Sequence, residues 1–314
     1  MPDNPNCIIV TSLAKEFARE FERLCDFSLT VKTCLSAEQA MDEYEGESIL
    51  FGNPDMIVRL LPTMPGVKWV QSSWAGITPF LALDRRDYVL TGVKDVFGPQ
   101  MSEYVMGYLL AHELKVLERM KAQREHRWLE TPSGVLEGKH IGIMGSGSIG
   151  RHVARTAAFF GMTVSGLSRS GTSLEHFNNM FKINEKRPFL KGLDYLLAAL
   201  PHTAETDNLI DAAALSLLPD HAYLVNVGRS NVIDDEALIY ALQSKQLAGA
   251  ALDVFDEEPI SEDSPLWDTP NLSITAHIAA ISHPLLIVPI FVENYRRFVA
   301  GKPLNYVIDF DAGY

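Results

Sequence analysis

This 314-residue chain has few cysteines, no apolar run of membrane length and a shortage of positive charge. Its three cysteines, Cys7, Cys25 and Cys34, are odd in number and lack metal-ligand spacing, which argues against a disulfide framework and against a metal site. They read as reduced thiols, small buried hydrophobes of a cytoplasmic protein. Hydrophobic residues make up 47%, yet no uninterrupted apolar run approaches the roughly 20 residues that span a bilayer. The opening MPDNPNCIIV has no basic stretch followed by an apolar core, so no secretory signal is expected. Lysine and arginine number 27 against 40 acidic residues, and the net charge of −13 disfavours nucleic acid and anionic membranes as partners. An anionic small-molecule substrate stays open, because a local cluster of positive groups can dominate one cleft. Repeats and low-complexity tracts are also missing.

What is present is a long alternation of strands and helices. From Asn6 to Lys94 the runs CIIV, FSLTV, SILFG, VKWVQSS and YVLTG read as strands, separated by the helical patterns LAKEFAREFERL and SAEQAMDEYEG. In the latter, Ser36 and Gln39 have capping-box spacing. Asn53-Pro54 and Thr78-Pro79 read as an N-cap followed by a first-turn proline. A single helix of roughly 40 Å is expected from about Gln100 to Trp128. After TPSG a second series begins, with HIGIM, TVSGLS, LDYLLAAL, AYLVNV, GAALDV and LSITAH as strands. Leu285 to Val299 is helical in pattern and returns the chain to the first domain. The expected class is α/β, two doubly wound parallel-sheet domains.

Strand HIGIM leads into Gly145-Ser146-Gly147-Ser148-Ile149-Gly150 and then an amphipathic helix closed by Gly161. Placed between strand and helix, three glycines at this spacing allow a tight turn, close approach of a pyrophosphate and close helix packing. The motif predicts a dinucleotide site. About 18 residues on, where a carboxylate ordinarily holds the adenine ribose of NAD, stand Ser168, Arg169 and Ser170. A carboxylate would repel a 2′-phosphate; a guanidinium clamps one and hydroxyls donate to it, so NADP(H) is expected over NAD(H). The plainer reading of Arg169 is a solvated surface cation.

Ligands of open α/β sheets bind outside the carboxyl ends of strands, which directs attention to Arg229 after AYLVNV, Asp253 and Glu258 in DVFDEEP, and His277 after LSITA. Reduction of a 2-oxo acid needs a cation for the carboxylate, a proton for the developing alkoxide and a group that keeps the proton donor charged. Arg229, His277 and Glu258 suit these roles in turn, and Asp253 is placed toward the nicotinamide. Each alone also has an ordinary structural explanation; the set, downstream of a cofactor motif, points to catalysis.

The runs GSGSIG, VNVGRS, LDVFDEEP and TAHIAA resemble the D-isomer-specific 2-hydroxyacid dehydrogenase family over nearly the whole chain. That resemblance implies a Rossmann nucleotide domain, here 99–284, inserted in a flavodoxin-like substrate domain, here 1–98 and 285–314, and a homodimer formed through the nucleotide domain. It implies the catalytic roles of Arg229, Glu258 and His277, with Asp253 at the nicotinamide-contacting position. Cofactor contacts extend on the same basis to Leu200, Pro201, Thr206, Val227, Gly228, Arg229, His277 and Ala279. WVQSSWAGIT resembles the family's substrate loop, which assigns Trp74 and the N–H groups of Ala75 and Gly76 to the substrate carboxylate; a strand-to-helix turn needing small residues is the alternative. Asn53 falls in a second substrate loop, although N-capping explains it equally. SRSG and HRWLE are similar to the NADPH-linked glyoxylate and hydroxypyruvate reductases within the family. Trp128 would reach a partner's pocket or serve in core or interface packing. Ala276 stands where many relatives have proline. A phosphoglycerate-type dehydrogenase is disfavoured, since no basic cluster for a substrate phosphate is evident and no regulatory domain is expected beyond Tyr314. The rival from another class is a nucleotide-sensing, co-repressor-like binding module without turnover.

Overall fold

The computed structural model describes residues 6–27 and 29–310. Contacts within the chain divide it into two compact units, Met1–Val96 with Ser282–Tyr314, and Phe97–Ile281.

In the first unit, β1 (Cys7–Val10), β2 (Val31–Cys34), β3 (Ile49–Gly52), β4 (Trp69–Ser72) and β5 (Val89–Thr91) alternate with α1 (Ala14–Leu24), α2 (Ala37–Glu43), α3 (Pro54–Leu60) and α4 (Thr78–Leu81). Every strand pairing is parallel, in the flavodoxin-like order β2-β1-β3-β4-β5. Alternate residues of these short apolar strands feed opposite faces. Ile8, Val10, Leu50 and Val70 pack with Ile57, Leu60 and Phe80 on one face. On the other, Phe51 meets Phe17 of α1 and Phe291 of the helix Pro284–Val299, with ring centroids 4.8 and 5.6 Å away.

Three local expectations need adjusting. The strand anticipated at FSLTV begins only at Val31, and Ser28 lies outside the described residues. Its polar Lys32 is tolerated because β2 is an edge strand and the ammonium reaches Glu45 and Glu47, both at 2.6 Å. The Ser36 hydroxyl accepts from Gln39 N, but the glutamine reaches back to Leu35 N rather than to Ser36. The helix anticipated after Thr78 starts at Thr78 itself, with Ile77 as its N-cap. Burial raises the Cys7 and Cys34 thiols, the latter to about 11.

The second unit opens with α5 (Gly98–Glu113) and α6 (Val116–Arg124). These replace the single 40 Å helix. Lys115 between them is left-handed, at φ 52°, although neither Gly nor Pro marks the break. Two bonds made from beyond the break accompany it: the Gly134 N–H, from a later segment, takes the Glu113 carbonyl and the Arg119 guanidinium of α6 takes that of Leu114, so α5 ends there. Trp128 lies beyond α6 and is 88% exposed, so it does not serve this chain's own core.

Strands β6 (His140–Met144), β7 (Thr163–Ser168), β8 (Asn179–Lys182), β9 (Tyr195–Ala198), β10 (Tyr223–Asn226), β11 (Gly249–Leu252) and β12 (Leu272–Ile274) interleave with α7 (Ser148–Phe159), α8 (Lys186–Leu190), α9 (Ala212–Leu215) and α10 (Asp235–Gln243). They form one parallel sheet, ordered β12-β11-β10-β9-β6-β7-β8. Both faces are covered, and neighbouring residues divide between them. Leu196, Leu224 and Ala250 join one cluster with Leu238 and Leu242 of α10. Leu197, Val225 and Ala251 join the other with Leu109 of α5 and Val153 of α7. The edge strand β8 was not anticipated, because NMFK is short, polar at both ends and only half-buried within. No helix among the described residues is long and apolar enough to cross a membrane.

Candidate active site

The carboxyl ends of β6, β7, β9, β10, β11 and β12 all lie at one edge of the second unit's sheet, as parallel pairing requires. At the centre, β6 turns into α7 through the glycine motif. Gly145 has φ 103°, a left-handed conformation suited to glycine, and a Cβ there would meet Ala199 O at 2.4 Å. Gly150 lets α7 approach the turn: its Cβ would lie 1.9 Å from Gly145 O. Gly147 differs, for a Cβ on it would meet nothing within 4 Å. It is the N-cap of α7 and provides no side-chain cap, which leaves the first-turn N–H groups aimed outward at the positive helix end. This combination of open space and uncapped amides fits a pyrophosphate. Gly161, at φ 76°, ends the helix region.

Ser168 ends β7, half-buried, and its hydroxyl accepts from Gly171 N at 3.1 Å. Arg169 and Ser170 follow, both exposed, and Ser170 accepts from Thr172 N. After β9, Thr206 is 5% exposed. Its hydroxyl donates to Pro201 O at 2.8 Å and accepts from Thr203 N at 2.9 Å, organising the loop that follows Leu200. Leu200 itself packs against the α10-side cluster and lies within reach of a Cβ placed on Gly228.

The turn after β10 is pinned by a residue the sequence reading passed over. Asn226 is 1% exposed, accepts from Gly228 N at 3.0 Å and donates to Arg229 O at 3.0 Å. Gly228 is required because a Cβ would come within 2.7 Å of Leu200 N and O. The turn then presents Arg229, whose guanidinium donates to Gly228 O at 2.7 Å. Burial lowers its pKa and the nearby Glu258 carboxylate works upward, so it remains a cation in a confined place.

Glu258 and His277 come together: His277 Nδ1 lies 2.9 Å from Glu258 Oε2, and the other carboxylate oxygen accepts from Phe255 N at 3.0 Å. This leaves Nε2 as the imidazole nitrogen available for chemistry. His277 has φ 54°, an uncommon and costly conformation for a side chain of its size. Asp253 explains how it is held. Its backbone carbonyl accepts from His277 N at 2.9 Å. Its 1% exposed carboxylate accepts from Thr275 Oγ1, Ile278 N and Ala279 N at 2.6, 2.8 and 2.9 Å. The position expected to face a nicotinamide is thus also the clamp of the histidine segment. Val227 and Ala279, both buried, belong to the cluster shared with α7.

In the first unit, Asn53 has N-cap geometry for α3 but makes no capping bond. Its side chain instead accepts from Ser73 Oγ at 3.0 Å, tying the loop after β3 to that after β4. The Ser72 hydroxyl brackets Trp74, accepting from its N–H and donating to its carbonyl. Trp74 is 38% exposed, Ala75 is exposed and Gly76 is half-buried.

A family model described as the NAD binding domain of D-isomer specific 2-hydroxyacid dehydrogenases matches residues 106–279. A glyoxylate/hydroxypyruvate reductase A from Klebsiella pneumoniae (strain 342) is 33% identical over 217 residues, 69% of this chain and 70% of that protein. The crystal structure of a D-isomer specific 2-hydroxyacid dehydrogenase family protein from Aeromonas salmonicida superposes with a TM-score of 0.94 at 37% identity, covering 98% of this chain and 100% of that one. An NADPH-dependent glyoxylate/hydroxypyruvate reductase from Sinorhizobium meliloti, solved with NADP and sulfate, gives 0.85 at 28% identity, covering 99% and 100%.

Proposed function

The chain belongs to the D-isomer specific 2-hydroxyacid dehydrogenase family, and on that premise we propose that it reduces a small 2-oxo acid, glyoxylate or hydroxypyruvate in kind, to the D-2-hydroxy acid with NADPH. The observation that carries this reading is the 2.9 Å bond between His277 Nδ1 and Glu258 beside the half-buried Arg229. Residues 145–150 would hold the pyrophosphate on the amides of α7, and Ser168, Arg169 and Ser170 the 2′-phosphate, with NAD(H) a weaker alternative. Leu200, Pro201, Thr206, Val227 and Ala279 would line the rest of the cofactor site. Asp253 uses three of its roughly four acceptor positions within the protein, which leaves one for a carboxamide donor.

When bound, NADPH supplies the hydride. Arg229 holds the substrate carboxylate and polarises the carbonyl. On the family resemblance, Trp74 and the N–H groups of Ala75 and Gly76, in the loop that Asn53 braces through Ser73, also bind substrate. His277 Nε2 gives its proton to the oxygen as charge develops on it, and Glu258 stabilises the imidazolium and fixes the ring through Nδ1. Residues 97–281 thereby form the nucleotide domain and the rest of the chain the substrate domain. We further propose a cytoplasmic homodimer with no nucleic acid or membrane partner. The nucleotide domain leaves Leu114, Leu117, Met120, Trp128, Val135 and Phe159 exposed, large apolar side chains that a second copy would cover.

A panel of small 2-oxo acids with NADPH tests the reading. His277→Gln is expected to abolish reduction while leaving NADPH binding nearly intact; full turnover in that variant would remove the proton-donor role. The nucleotide-sensing alternative is not favoured, and only absence of turnover with every acid, together with ligand-dependent partner binding, would restore it.

A further inference from the structure

A chain of hydroxyl groups leads from α5 to the segment that carries His277. Tyr104 OH lies 2.7 Å from Thr275 Oγ1, which lies 2.6 Å from Asp253 Oδ1. An ionised carboxylate only accepts, so the Thr275 hydroxyl donates to Asp253 and its oxygen accepts a hydrogen bond from the Tyr104 hydroxyl. The direction of the chain is therefore fixed. Burial raises the Tyr104 phenol far above its ordinary value, which keeps it a donor. Tyr104 is itself held, with its ring 4.9 Å from that of Tyr108 and with Val105, Met106 and Leu109 of the same helix packed on the sheet.

We propose that Tyr104 and Thr275 are positioning residues for the proposed reaction, holding His277 in its left-handed conformation so that Nδ1 meets Glu258. This inference rests on the reading of His277 as proton donor. The strained residue is restrained on both sides by one carboxylate: Thr275 precedes it and Ile278 and Ala279 follow it, all three donating to Asp253. Cooperative hydrogen bonding makes the Thr275 donor stronger while it accepts from Tyr104. Loss of either hydroxyl weakens one of those restraints, lets His277 relax toward ordinary φ, and draws the ring away from Glu258. Neither hydroxyl needs to touch substrate or cofactor for this effect.

The test compares Tyr104→Phe, Thr275→Val and Thr275→Ser in the full-length protein. The first two are expected to lower kcat about threefold to tenfold, the equivalent of one hydrogen bond, with the NADPH dissociation constant unchanged. A loss of folded protein alone would not change the hydrogen bond made by the molecules that do fold. Hence the His277 Nδ1 proton shared with Glu258 is followed by NMR at one pH, its low-field resonance assigned by its disappearance in His277→Gln. That resonance is expected to move upfield and to exchange faster with water in Tyr104→Phe and Thr275→Val, because the ring is drawn away from the carboxylate. Thr275→Ser, which keeps the hydroxyl, is expected to retain wild-type kcat and resonance. Unchanged kcat and resonance in Tyr104→Phe and Thr275→Val would overturn the proposal, as would a Thr275→Ser variant that behaves like Thr275→Val. If His277→Gln is fully active, the proton-donor reading fails by itself, and the Nδ1 resonance in Tyr104→Phe still decides whether the hydroxyl chain positions the ring. If Thr275→Val does not fold, Tyr104→Phe decides both readouts alone.

Discussion

Adding one methyl group to two glycines of the same motif should produce opposite phenotypes. In Gly150→Ala the new Cβ would stand 1.9 Å from Gly145 O, 3.0 Å from Gly145 C and 3.2 Å from Ile143 Cγ2. Backbone lies on the near side, so no side-chain rotation relieves the clash. To reach an ordinary contact near 3.4 Å, α7 must retreat by about 1.5 Å, which loosens Val153, Ala154 and Ala157 from their buried cluster. Overpacking of this kind costs about 1–3 kcal/mol, and at roughly 3 °C per kcal/mol for a domain of this size Tm should fall by about 3–9 °C. In Gly147→Ala the methyl meets nothing within 4 Å and φ is an ordinary −72°. A poorer N-cap and a less flexible unfolded chain work in opposite directions, so stability should stay within about 0.5 kcal/mol of wild type. The methyl nevertheless occupies the space that fits a pyrophosphate. Loss of one charge-assisted bond there would weaken NADPH by roughly tenfold to a hundredfold. Thermal unfolding without cofactor and NADPH titration by fluorescence separate the two effects. A Gly147→Ala variant that melts several degrees low, or that binds NADPH like wild type, would refute the assignment of that glycine to the ligand.

Three further outcomes follow from the same geometry. Arg169→Ala should reduce the preference for NADPH over NADH by roughly tenfold to a hundredfold, read as the ratio of kcat/KM values; an unchanged ratio would return Arg169 to the role of a surface cation. Asn226→Ala removes both bonds that pin the Arg229 turn and leaves the buried Gly228 N–H without a partner. Stability should fall by about 1–3 kcal/mol and KM for the 2-oxo acid should rise, and a variant normal in both would show that Arg229 needs no such support. Burial lowers the pKa of His112, His140 and His152 below the usual imidazole value. Below pH about 6.5 the unfolded chain then takes up protons that the folded nucleotide domain does not. Stability is therefore present above that pH and is lost as pH falls. Asp235, raised to about 6, works in the opposite sense, its folded form keeping its proton and gaining stability as pH drops through 6. Asp235→Asn removes the opposing carboxyl and leaves the imidazoles, so this variant is expected to lose more Tm than wild type between pH 7.5 and pH 5.5; an equal loss in the two proteins would contradict the raised Asp235 carboxyl.

Much of the fold was legible because parallel strands buried on both faces announce themselves as short apolar runs, CIIV and HIGIM among them. The glycine motif was legible for a related reason, since three missing side chains in a fixed pattern have few other uses. The features that escaped were those decided by tertiary bonds. HELKVLERM does not by itself foretell that Lys115 turns left-handed, because the Arg119 within it takes the Leu114 carbonyl only as part of a turn that Gly134, well beyond the stretch, completes at Glu113. Strand β8 escaped because an edge strand with one partner needs little apolar surface. Asn53 was read correctly as to backbone position, yet its side chain serves Ser73 rather than the helix it begins.

Site residues divide along the same line. Arg229, Glu258 and His277 could be picked out because their chemistry is rare at strand ends, whereas Asn226, Thr275 and Tyr104 carry ordinary polar groups whose value depends on what they meet. Asn226 did leave one trace: an amide within the otherwise apolar YLVN of β10 must find partners once buried, and the turn that follows is the nearest supply. Asp253 shows the limit most sharply. Its place after GAAL marked it for a ligand, but a carboxylate 1% exposed with three donors already attached is first of all the means by which a strained histidine persists. A substitution at Asp253 would therefore disturb the shape of the segment that carries His277 as well as any contact with a nicotinamide, so loss of activity there has two causes. Separating the two requires variants such as Thr275→Val, which loosen the clamp while leaving the carboxylate in place.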